Sequence, residues 1–559
     1  MGLLPSGRLP NTGLWTKDVS AIQHASVLPA AALRAALRSF PLIRRYPLLL
    51  AGITLLGFGL RLPLLDRFPL REDEAIYSFW ALHFWRVDPF FLSVWPDKPP
   101  LYLWFQAGAL ELFGSNQAGA RVLNIVASTL TIVVVAAIGR HFWRRRGAVS
   151  AALSLSLNPF TIGFAPTAFT DPMLVLAGSL ALLAALRGRS FWAGLWLGVA
   201  IMTKQQGVLY IPLISALLVN EVRGPVQLGL RNVRTFFAGL SLVVAPILYW
   251  DSLRWGVAPS PWDLGVRNYG ALAITPVAEW PERLAAWAPL VWHLTASWPV
   301  WGVLLCGLGG VLIHTKQLRV HDQVTSSASQ KVPISLGILA AWSLGFLVLH
   351  AVTTVQPWDR YLLPLAPVVA LGVAGAVARY ASRLASGYGA LLFVLLLLLL
   401  APPAIQAANG ELPIGGDHGA YDGLTSALAW LRQTAPDDVV LYHRTMGWHY
   451  RFYLYDEVET GRYELRWFPS AIYLADNAAK TPHRRNLWVE PVWAHQTNLA
   501  HHLAVRSLHV HERQRFGAFV VFEIEQLGRA HCAWCVCRPD PPGLVILETD
   551  GSAPLCQRD

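Results

Sequence analysis

The stretch AGARVLNIVASTLTIVVVAAIG, residues 118–139, is followed at once by the basic stretch RHFWRRR, residues 140–146. A transmembrane helix needs about 20 mostly apolar residues, so the first stretch is long enough to span a bilayer. Further windows of this character lie at 46–65, 147–165, 171–186, 191–203, 207–218, 236–250, 290–313, 332–351, 361–378 and 388–407. The sequence therefore predicts a multi-pass α-helical membrane protein with about 11 transmembrane helices, two of them short.

The composition of the whole chain supports this fold class. Of its 559 residues, 54% are hydrophobic and only 14% are charged. Soluble globular proteins average about 25% charged residues. These figures exclude a purely soluble protein, a disordered chain, a coiled coil and a disulfide-framework domain. The net charge is +11. In a membrane protein such a surplus of basic residues usually lies in cytoplasmic loops, so we expect no nucleic-acid partner.

Basic residues predict the orientation in the membrane. Clusters of Arg and Lys precede the first predicted helix and follow every even-numbered one up to the tenth. Because cytoplasmic loops carry an excess of these residues, the N-terminus is predicted to be cytoplasmic. The alternation holds only if 191–218 forms two short helices rather than one long helix. The polar loops 66–100 and 251–289, and the chain after about 410, then lie on the extracytoplasmic face.

Three regions follow from this topology. They are a cytoplasmic tail (1–45), a transmembrane domain (46–407) and an extracytoplasmic soluble domain (408–559). The soluble domain is predicted to be α/β, with a helix at 425–433, strands at 439–443, 518–524 and 544–548, and an aromatic run at 448–455. Its last cysteines could form a zinc site, but an oxidising compartment favours disulfides; they are Cys532, Cys535, Cys537 and Cys556.

The first outer loop contains candidate catalytic groups. Glu72, Asp73 and Glu74 are consecutive carboxylates a few residues after a predicted helix, and Lys98 precedes two prolines. A carboxylate held partly out of water has a raised pKa and can accept a proton from an alcohol. A lysine ammonium is a compact charge that suits a phosphate. The alternative interpretation is a solvated acidic loop.

A few charges lie at the ends of apolar helices. Arg121, Asp171, Lys204 and Arg360 are all predicted at outward helix ends. Ionisable groups at membrane depth are expensive and usually functional. Cations and carboxylates on one face could hold an anionic lipid head group. An arginine at a helix end can also merely extend to the interface.

The second outer loop, 251–289, is rich in aromatic and polar side chains. Arg267, Asn268 and Tyr269 lie among four tryptophans. Aromatic faces with amide and guanidinium donors suit sugar rings, although Trp is also enriched at bilayer interfaces. We therefore expect substrate contacts from this loop.

Six short motifs in a fixed order identify a resemblance. They are DEAIY (73–77), DKPPLY (97–102), ARVLN (120–124), FTDP (169–172), GLWLGVAIMTK (194–204) and DRYLLP (359–364). Together they resemble GT-C-type membrane glycosyltransferases, in the branch that contains protein O-mannosyltransferases and lipid A aminoarabinose transferases. The resemblance covers about residues 45–405, and the outer domain matches only in position.

The resemblance implies roles for individual residues. Asp73 matches the proposed catalytic carboxylate, with Glu74 beside it. Lys98 matches a lysine that contacts the lipid phosphate in the aminoarabinose branch, and Arg121 a phosphate-contacting arginine in the mannosyl branch. Where the aminoarabinose branch has an arginine ligand, this chain has Ile76. The candidates that could replace that ligand are Arg121, Lys204 and Arg267.

These observations predict a glycosyltransferase. We expect an inverting displacement that moves a sugar from a polyprenyl-phosphate donor to an acceptor outside a bacterial plasma membrane, without a metal or other cofactor. Asp73 and Glu74 are the candidate catalytic residues, and the candidate phosphate ligands are Lys98, Arg121, Lys204 and Arg360. The candidate substrate contacts are Tyr77, Asp171, Arg267, Asn268 and Tyr269. The alternatives are a lipid or sugar transporter, or flippase, and a noncatalytic membrane scaffold.

Overall fold

The computed structural model describes residues 46–221, 226–270, 273–306, 327–383, 388–416, 419–494 and 498–526. The predicted cytoplasmic tail, the four C-terminal cysteines and the predicted strand at 544–548 lie outside these residues. The described chain divides into two compact units. The helical unit comprises residues 46–67 and 80–416, and the α/β unit comprises residues 68–79 and 419–526. The second unit thus includes a segment of the first predicted outer loop.

Helices make up most of the described chain between Tyr46 and Asn409. In chain order they are α1 (Tyr46–Gly59), α2 (Glu72–Arg86), α3 (Leu101–Phe113), α4 (Gln117–Ser156), α5 (Pro159–Phe164), α6 (Asp171–Leu186), α7 (Ser190–Thr203), α8 (Ile211–Glu221), α9 (Val226–Ser252), α10 (Pro261–Tyr269), α11 (Trp280–His293), α12 (Ser327–Val352), α13 (Ala366–Arg383) and α14 (Tyr388–Asn409). Short 3-10 helices at Gln205–Tyr210, Val277–Glu279 and Asp359–Leu365 connect some of them, and residues 298–306 are also helical.

Four helical stretches of the described chain are long and apolar enough to cross a membrane. They are Gln117–Ser156, Gly229–Ser252, Ile334–Val352 and Asp359–Tyr380. Five shorter apolar helices accompany them: Tyr46–Gly59, Asp171–Leu186, Ser190–Thr203, Gln205–Asn220 and Phe393–Asn409. The multi-pass helical class is therefore confirmed, while the number of 11 spans and their orientation stay predictions.

The apolar stretch 118–139 and the basic stretch 140–146 form part of α4, which reverses direction at the basic residues. Trp143 and Arg144 have non-helical backbone angles, and Arg144 has a φ of 54°. A Cβ built on Gly139 would lie 2.6 Å from the carbonyl oxygen of Gly147, which a straight helix would place far away. The predicted spans 118–139 and 147–165 are accordingly two segments that fold back on one another.

The predicted division of 191–218 into two short helices is confirmed. Helix α7 ends at Thr203, Lys204 adopts an extended conformation with φ −156° and ψ 139°, and a 3-10 turn leads into α8. The predicted span 290–313 starts later than expected, because α11 ends at His293 and Ala296 has a φ of 47°. A residue with a positive φ cannot continue a right-handed helix.

A buried arginine joins three elements of the helical unit. Arg61, fully buried after the end of α1, donates to Ser128 and Thr161 side chains at 2.8 Å each. It also donates to the carbonyl oxygens of Gly57, Leu155 and Ser156 at 2.7, 3.1 and 3.3 Å. The last carbonyls of a helix have no partner within that helix, so a guanidinium fork can satisfy several at once.

The α/β unit has a five-stranded sheet of order β2-β1-β3-β5-β4. Its elements are α15 (Leu424–Thr434), β1 (Val439–His443), α16 (Gly447–Tyr453), α17 (Tyr455–Glu459), β2 (Tyr463–Trp467), α18 (Ala471–Lys480), β3 (Arg485–Pro491), α19 (Leu499–Ala504), β4 (Leu508–Phe516) and β5 (Phe519–Gln526). Strand β1 is parallel to β2 and β3, whereas β5 is antiparallel to β3 and β4.

Both faces of this sheet are covered. Val439 and Leu441 pack with α15 and α16 on one face, and Val440 and Tyr442 pack with α18 and α19 on the other. This alternation follows from the two-residue period of a strand. The predicted α/β class is confirmed, including the strand at 439–443, while the extracytoplasmic location of the unit stays a prediction.

Helices α7 and α9 cross at two glycines, which gives a test of the packing. A Cβ on Gly194 would lie 2.0 Å from the Phe236 carbonyl oxygen, and a Cβ on Gly239 would lie 2.0 Å from that of Phe191. Gly194→Ala should therefore destabilise the protein by about 1–3 kcal/mol, because overpacking forces the backbones apart. The unfolding midpoint of the detergent-solubilised protein measures this loss.

Gly52→Ala in α1 is the matched control, because nothing lies within 4 Å of the added Cβ. That substitution should leave the midpoint unchanged or raise it slightly, since alanine favours a helix over glycine by roughly 0.5–1 kcal/mol. Equal midpoints for the two variants would contradict the proposed close packing.

Candidate active site

A cavity of about 920 Å³ lies within the helical unit, between α7–α8, α10 and the end of α12. Its walls are mostly apolar, and Lys98 and Lys204 are the charged side chains among its described lining residues. The polar or aromatic residues that also line it are Gln205, Gln206, Trp262, Asn268, Tyr269, His350, Thr354, Gln356, Trp358 and Tyr361. The cavity therefore brings together four residues predicted for the site: Lys98, Lys204, Asn268 and Tyr269.

Lys98 is held by Asp97 and by Tyr269 of α10. Its ammonium donates to Asp97 Oδ1 at 3.0 Å and to the Tyr269 hydroxyl at 2.7 Å, and it lies 4.1 Å from the centre of the Tyr269 ring. The Tyr269 hydroxyl in turn donates to Asp97 Oδ2 at 2.9 Å, and Asn268 donates to the same oxygen at 3.1 Å. One carboxylate thus connects the loop before α3 to helix α10.

The charge state of Asp97 follows from these contacts. Burial by itself raises the pKa of the Asp97 carboxyl, but the Lys98 ammonium and the hydrogen bonds from Asn268 and Tyr269 outweigh it. The pKa therefore lies below its usual value, and Asp97 stays ionised at neutral pH. It acts as a fixed counter-ion for Lys98.

Helix α10 is well defined at both ends. The Ser260 hydroxyl accepts from the Trp262 backbone N–H at 3.3 Å, and Pro261 occupies the first turn, where proline is favoured. Gly270 ends the helix in the left-handed conformation, with a φ of 69°. These local signals fix the helix that presents Asn268 and Tyr269 to the cavity.

Lys204 lies in the extended break between α7 and the following 3-10 turn. Its ammonium donates to Asp171 Oδ1 at 2.6 Å and lies 4.4 Å from the centre of the Tyr361 ring. Asp171 is the first residue of α6, where the helix dipole favours a negative charge. Both side chains are buried, with exposures of 6% and 1%.

The pKa of Lys204 depends on its burial and on the charges around it. Burial has the largest effect and lowers this pKa, Asp171 raises it, and the nearby charges of Arg360 and Lys98 lower it; the pKa falls to about 8. The charges of Arg360 and Lys98 therefore act on Lys204, while Lys98 pairs with Asp97 and Lys204 pairs with Asp171. Neighbouring cations raise the local positive potential, which attracts an anion.

Arg360 is buried among aromatic rings beside the cavity. Its guanidinium lies 4.4 Å from the Trp358 ring centre and 4.8 Å from that of Phe169. The preceding Asp359 accepts from the Arg360 backbone N–H at 2.8 Å and from the Gly415 N–H at 3.1 Å. Stacking on aromatic faces suits a planar guanidinium and fixes its position.

Two predicted arginines lie away from the cavity lining. Arg121 is buried near the end of α1 and donates to the Leu65 carbonyl oxygen at 3.3 Å. Arg267 is 70% exposed and pairs with Asp263 one helical turn away at 2.8 Å. Their roles as phosphate or substrate ligands stay predictions.

The predicted catalytic carboxylates begin helix α2, in the segment that belongs to the α/β unit. Asp73 is half-buried, whereas Glu74 is 1% exposed and Tyr77 is 4% exposed. Glu74 Oε2 accepts from the Arg71 backbone N–H at 2.9 Å, which caps the helix start. The structure therefore gives Glu74 a structural contact, and Asp73 is the more accessible of the two.

Sequence reasoning missed the amides that line the cavity. Gln206 Nε2 donates to the Tyr361 carbonyl oxygen at 2.9 Å and lies 3.2 Å from His350 Nε2. The neighbouring Gln205 donates to the Asp97 carbonyl oxygen at 2.7 Å. Two consecutive glutamines after Lys204 in an otherwise apolar run were the available signal.

The expected absence of a metal is a separate question. Within the described ranges, no group of three His, Cys, Asp or Glu side chains is arranged to hold a metal ion. The cysteine motif near the C-terminus lies outside those ranges, so metal independence stays a prediction.

The buried pair of Lys204 and Asp171 should dominate the stability of the site. Lys204→Met leaves Asp171 buried without its partner and should cost about 3–5 kcal/mol. The double variant Lys204→Met/Asp171→Asn removes both charges and should unfold at a higher temperature than the single variant. Thermal unfolding of the purified protein measures both.

The exposed pair of Arg267 and Asp263 supplies the control. Arg267→Met should cost less than about 1 kcal/mol, because solvent screens an exposed ion pair. A double variant that is no more stable than Lys204→Met would show that the buried pair is not coupled.

Comparison with known proteins adds a family resemblance to this geometry. Residues 97–250 match the sequence family described as dolichyl-phosphate-mannose-protein mannosyltransferase. An undecaprenyl phosphate-α-4-amino-4-deoxy-L-arabinose arabinosyl transferase from Pseudomonas aeruginosa is 24% identical over 437 residues, 64% of this chain and 77% of the relative. The enzyme of the same name from Pseudomonas paraeruginosa is 24% identical over 442 residues, with the same coverage of each chain.

Solved structures share the fold. The crystal structure of ArnT from Cupriavidus metallidurans bound to undecaprenyl phosphate superposes with a TM-score of 0.56 at 18% identity, over 85% of this chain and 97% of that one. The Archaeoglobus fulgidus oligosaccharyltransferase superposes with a TM-score of 0.51 at 13% identity, over 80% and 69% of the two chains. The predicted resemblance to GT-C-type membrane glycosyltransferases of the mannosyltransferase and aminoarabinose transferase type is thus confirmed.

Proposed function

We propose that this protein transfers a sugar from a polyprenyl-phosphate-linked donor to an acceptor on the extracytoplasmic face of the plasma membrane. The observation that carries the proposal is the mostly apolar cavity that holds two buried lysines, Lys98 and Lys204. A polyprenyl phosphate combines an apolar chain with a charged head. The cavity offers an apolar wall to the chain and two lysine ammonium groups to the head of such a molecule.

The electrostatics favour a phosphate at the lysines. An ammonium group has three donors, and within the described residues Lys204 directs one of them to Asp171. Burial is the main cause of the lowered pKa of Lys204, and the charges of Arg360 and Lys98 lower it further because these cations repel Lys204. A bound phosphate relieves this repulsion, so the protein has a reason to bind an anion rather than a neutral group.

The proposed reaction is a single displacement at the anomeric carbon of the sugar. The bond from that carbon to the phosphate oxygen breaks, and a bond to the acceptor oxygen forms with inversion of configuration. Asp73 takes the proton of the acceptor hydroxyl as general base, and polyprenyl phosphate leaves. Lys98 and Lys204 stabilise the negative charge that develops on the leaving phosphate, so the step needs no metal ion.

The remaining predicted residues receive secondary roles. Asn268 and Tyr269 line the cavity and supply an amide and an aromatic face to the donor. Arg360 strengthens the positive potential beside Lys204, while Tyr77, Arg121 and Arg267 remain proposed contacts of the sugar, lipid or acceptor. None of the relatives named above is a transporter, and no contact in the cavity favours transport over transfer.

The role of Asp73 is tested by a conservative substitution. Asp73→Asn should lower kcat by a factor of about 100 or more, because the amide cannot accept the acceptor's proton. Binding of the donor lipid should be retained. The measurement is transfer of label from radiolabelled polyprenyl-phosphate sugars by purified protein in lipid vesicles.

Glu72→Gln is the matched control for this prediction, since it removes the same charge from the exposed preceding position. It should leave kcat within about twofold of the parent, because no catalytic proton passes through it. An Asp73→Asn protein that transfers sugar at the parent rate would overturn the proposed base. Label that crosses the bilayer without reaching any acceptor would favour transport.

The pH dependence of donor binding tests Lys204. The free site has a Lys204 pKa of about 8, and a phosphate binds better to the charged form. Donor affinity should therefore be constant below that pH and fall above it, by up to about tenfold per pH unit. The dissociation constant of a polyprenyl-phosphate sugar, measured between about pH 7 and pH 10, reports the inflection.

Two variants test whether Lys204 causes the pH dependence of donor binding. Lys204→Arg should remove the inflection, because a guanidinium stays charged throughout this range. Lys98→Met should weaken binding and move the inflection upward, since Lys98 lowers the pKa of Lys204. A parent protein with flat binding across the range would contradict a role for Lys204 in holding the phosphate.

A further inference from the structure

The segment 68–79 carries Asp73, and the rest of the α/β unit contacts this segment near both of its ends. Residues 68–79 belong to this unit and contact its helices α16 and α17. We propose that these two helices form a clamp that fixes the position of Asp73, and that His449 and Tyr453 are its positioning residues. The proposal rests on the proposed function of Asp73 and assigns a role to the C-terminal part of the chain.

The first contact of the clamp is made with the backbone of Leu70. The Leu70 N–H donates to the Tyr453 hydroxyl at 2.8 Å, and the Leu70 carbonyl oxygen lies 3.0 Å from His449 Nε2. Both backbone groups of one fully buried residue are therefore bound by two side chains of α16. Because buried backbone groups must be paired, loss of either contact leaves a polar group without its partner.

The His449 ring is suited to this contact. Burial lowers the pKa of His449 to about 4, with the Leu70 carbonyl and Glu74 acting in the opposite direction. The ring is therefore neutral at neutral pH, and the contact to the Leu70 oxygen places its hydrogen on Nε2. His449 Nδ1 has no hydrogen-bond partner among the described residues.

The second contact of the clamp surrounds the ring of Phe79. Its centre lies 5.8 Å from that of Trp448 and 6.2 Å from that of Tyr455. The Arg451 guanidinium lies 5.6 Å from the same ring centre. Side chains from α16 and α17 thus hold both ends of the segment, one by hydrogen bonds and the other by aromatic packing.

Asp73 lies between these two contacts. The Arg71 carbonyl accepts from the Ala75 N–H at 2.8 Å, and the Arg71 N–H donates to Glu74, so α2 begins two residues after Leu70. A rotation of the Leu70 peptide would change the direction of the helix start and displace Asp73. A displacement of about 1 Å at a reacting group can cost a factor of roughly 100 in rate.

The clamp is itself anchored in the core of its unit. Helix α16 follows β1 after three residues, and Tyr450, on the same helix, is fully buried. The Tyr450 hydroxyl donates to the Val489 carbonyl oxygen of β3 at 3.2 Å. Helix α16 is therefore fixed to two parallel strands, which gives His449 and Tyr453 a rigid base.

The test combines kinetics with hydrogen exchange on the full-length protein in lipid vesicles. Tyr453→Phe and His449→Phe each remove one hydrogen bond to Leu70. Each should lower kcat by about tenfold or more while the donor KM stays within about twofold. Amide exchange in residues 68–79 should become faster in both variants. His449→Gln keeps an amide donor near the Leu70 carbonyl and should restore most of kcat.

Tyr463→Phe is the matched control, because it removes a buried tyrosine hydrogen bond of the same unit, to the Ala435 carbonyl oxygen at 2.6 Å, without touching α16 or Leu70. It should lower the unfolding midpoint yet leave kcat and the exchange of 68–79 close to the parent. If Tyr463→Phe lowers kcat as much as Tyr453→Phe, the effect is loss of stability and the clamp is overturned.

The failure of this inference is distinguishable from failure of the proposed function. If Asp73→Asn abolishes transfer while the Tyr453 and His449 variants keep the parent kcat, the clamp is wrong and the proposed base stands. If Asp73→Asn retains activity, the proposed base is wrong and the clamp has no catalytic purpose. Lower kcat with faster exchange of 68–79 in the clamp variants supports the inference.

Discussion

The positions of the buried cations and their partners in the helical unit follow from the free-energy cost of burying a charge in an apolar interior. An unpaired ion away from water is strongly destabilising, so each buried cation must find a partner or lose its charge. Lys204 pairs with Asp171, Lys98 pairs with Asp97, and Arg61 makes five hydrogen bonds to neutral oxygens. These partners lie at helix ends and breaks, where backbone groups and loops are free to reach a side chain.

The same contacts that stabilise the lysines would also preorganise the cavity for the proposed phosphate. Asp97 is held by Asn268 and Tyr269, so Lys98 is fixed by groups that line the cavity. Lys204 has one carboxylate partner and two cationic neighbours, and its pKa of about 8 leaves it mostly charged at neutral pH. A preorganised cation does not have to move when a phosphate arrives, which is the most effective form of electrostatic stabilisation. Stability and the proposed chemistry therefore depend on the same pairs.

Sequence patterns within a few residues predicted the helix breaks and a strand of this structure. The break at Lys204, the reversal at Arg144 and the strand β1 follow from composition and period within a few residues. Contacts between distant residues were outside the reach of such patterns. Nothing near Leu70 indicates that it binds Tyr453, 383 residues away, and nothing near Arg61 indicates its contact with Thr161. The position of Arg267 on α10 was also beyond local patterns: it is 70% exposed, whereas Asn268 and Tyr269 line the cavity.

The family match covers the lysines proposed to bind the donor phosphate but not the carboxylate proposed as the base. The matched range 97–250 contains both lysine–carboxylate pairs, whereas Asp73 and helix α10 lie outside it. A lipid phosphate is the common feature in the names of the family and of the arabinosyl transferases, while the sugars differ. A shared phosphate site requires only a fixed charge arrangement, but each sugar and acceptor requires its own set of hydrogen bonds. Lys98 and Lys204 of the proposed donor phosphate site thus lie in the matched range, whereas Arg360, α10 and the segment that α16 and α17 hold lie outside it.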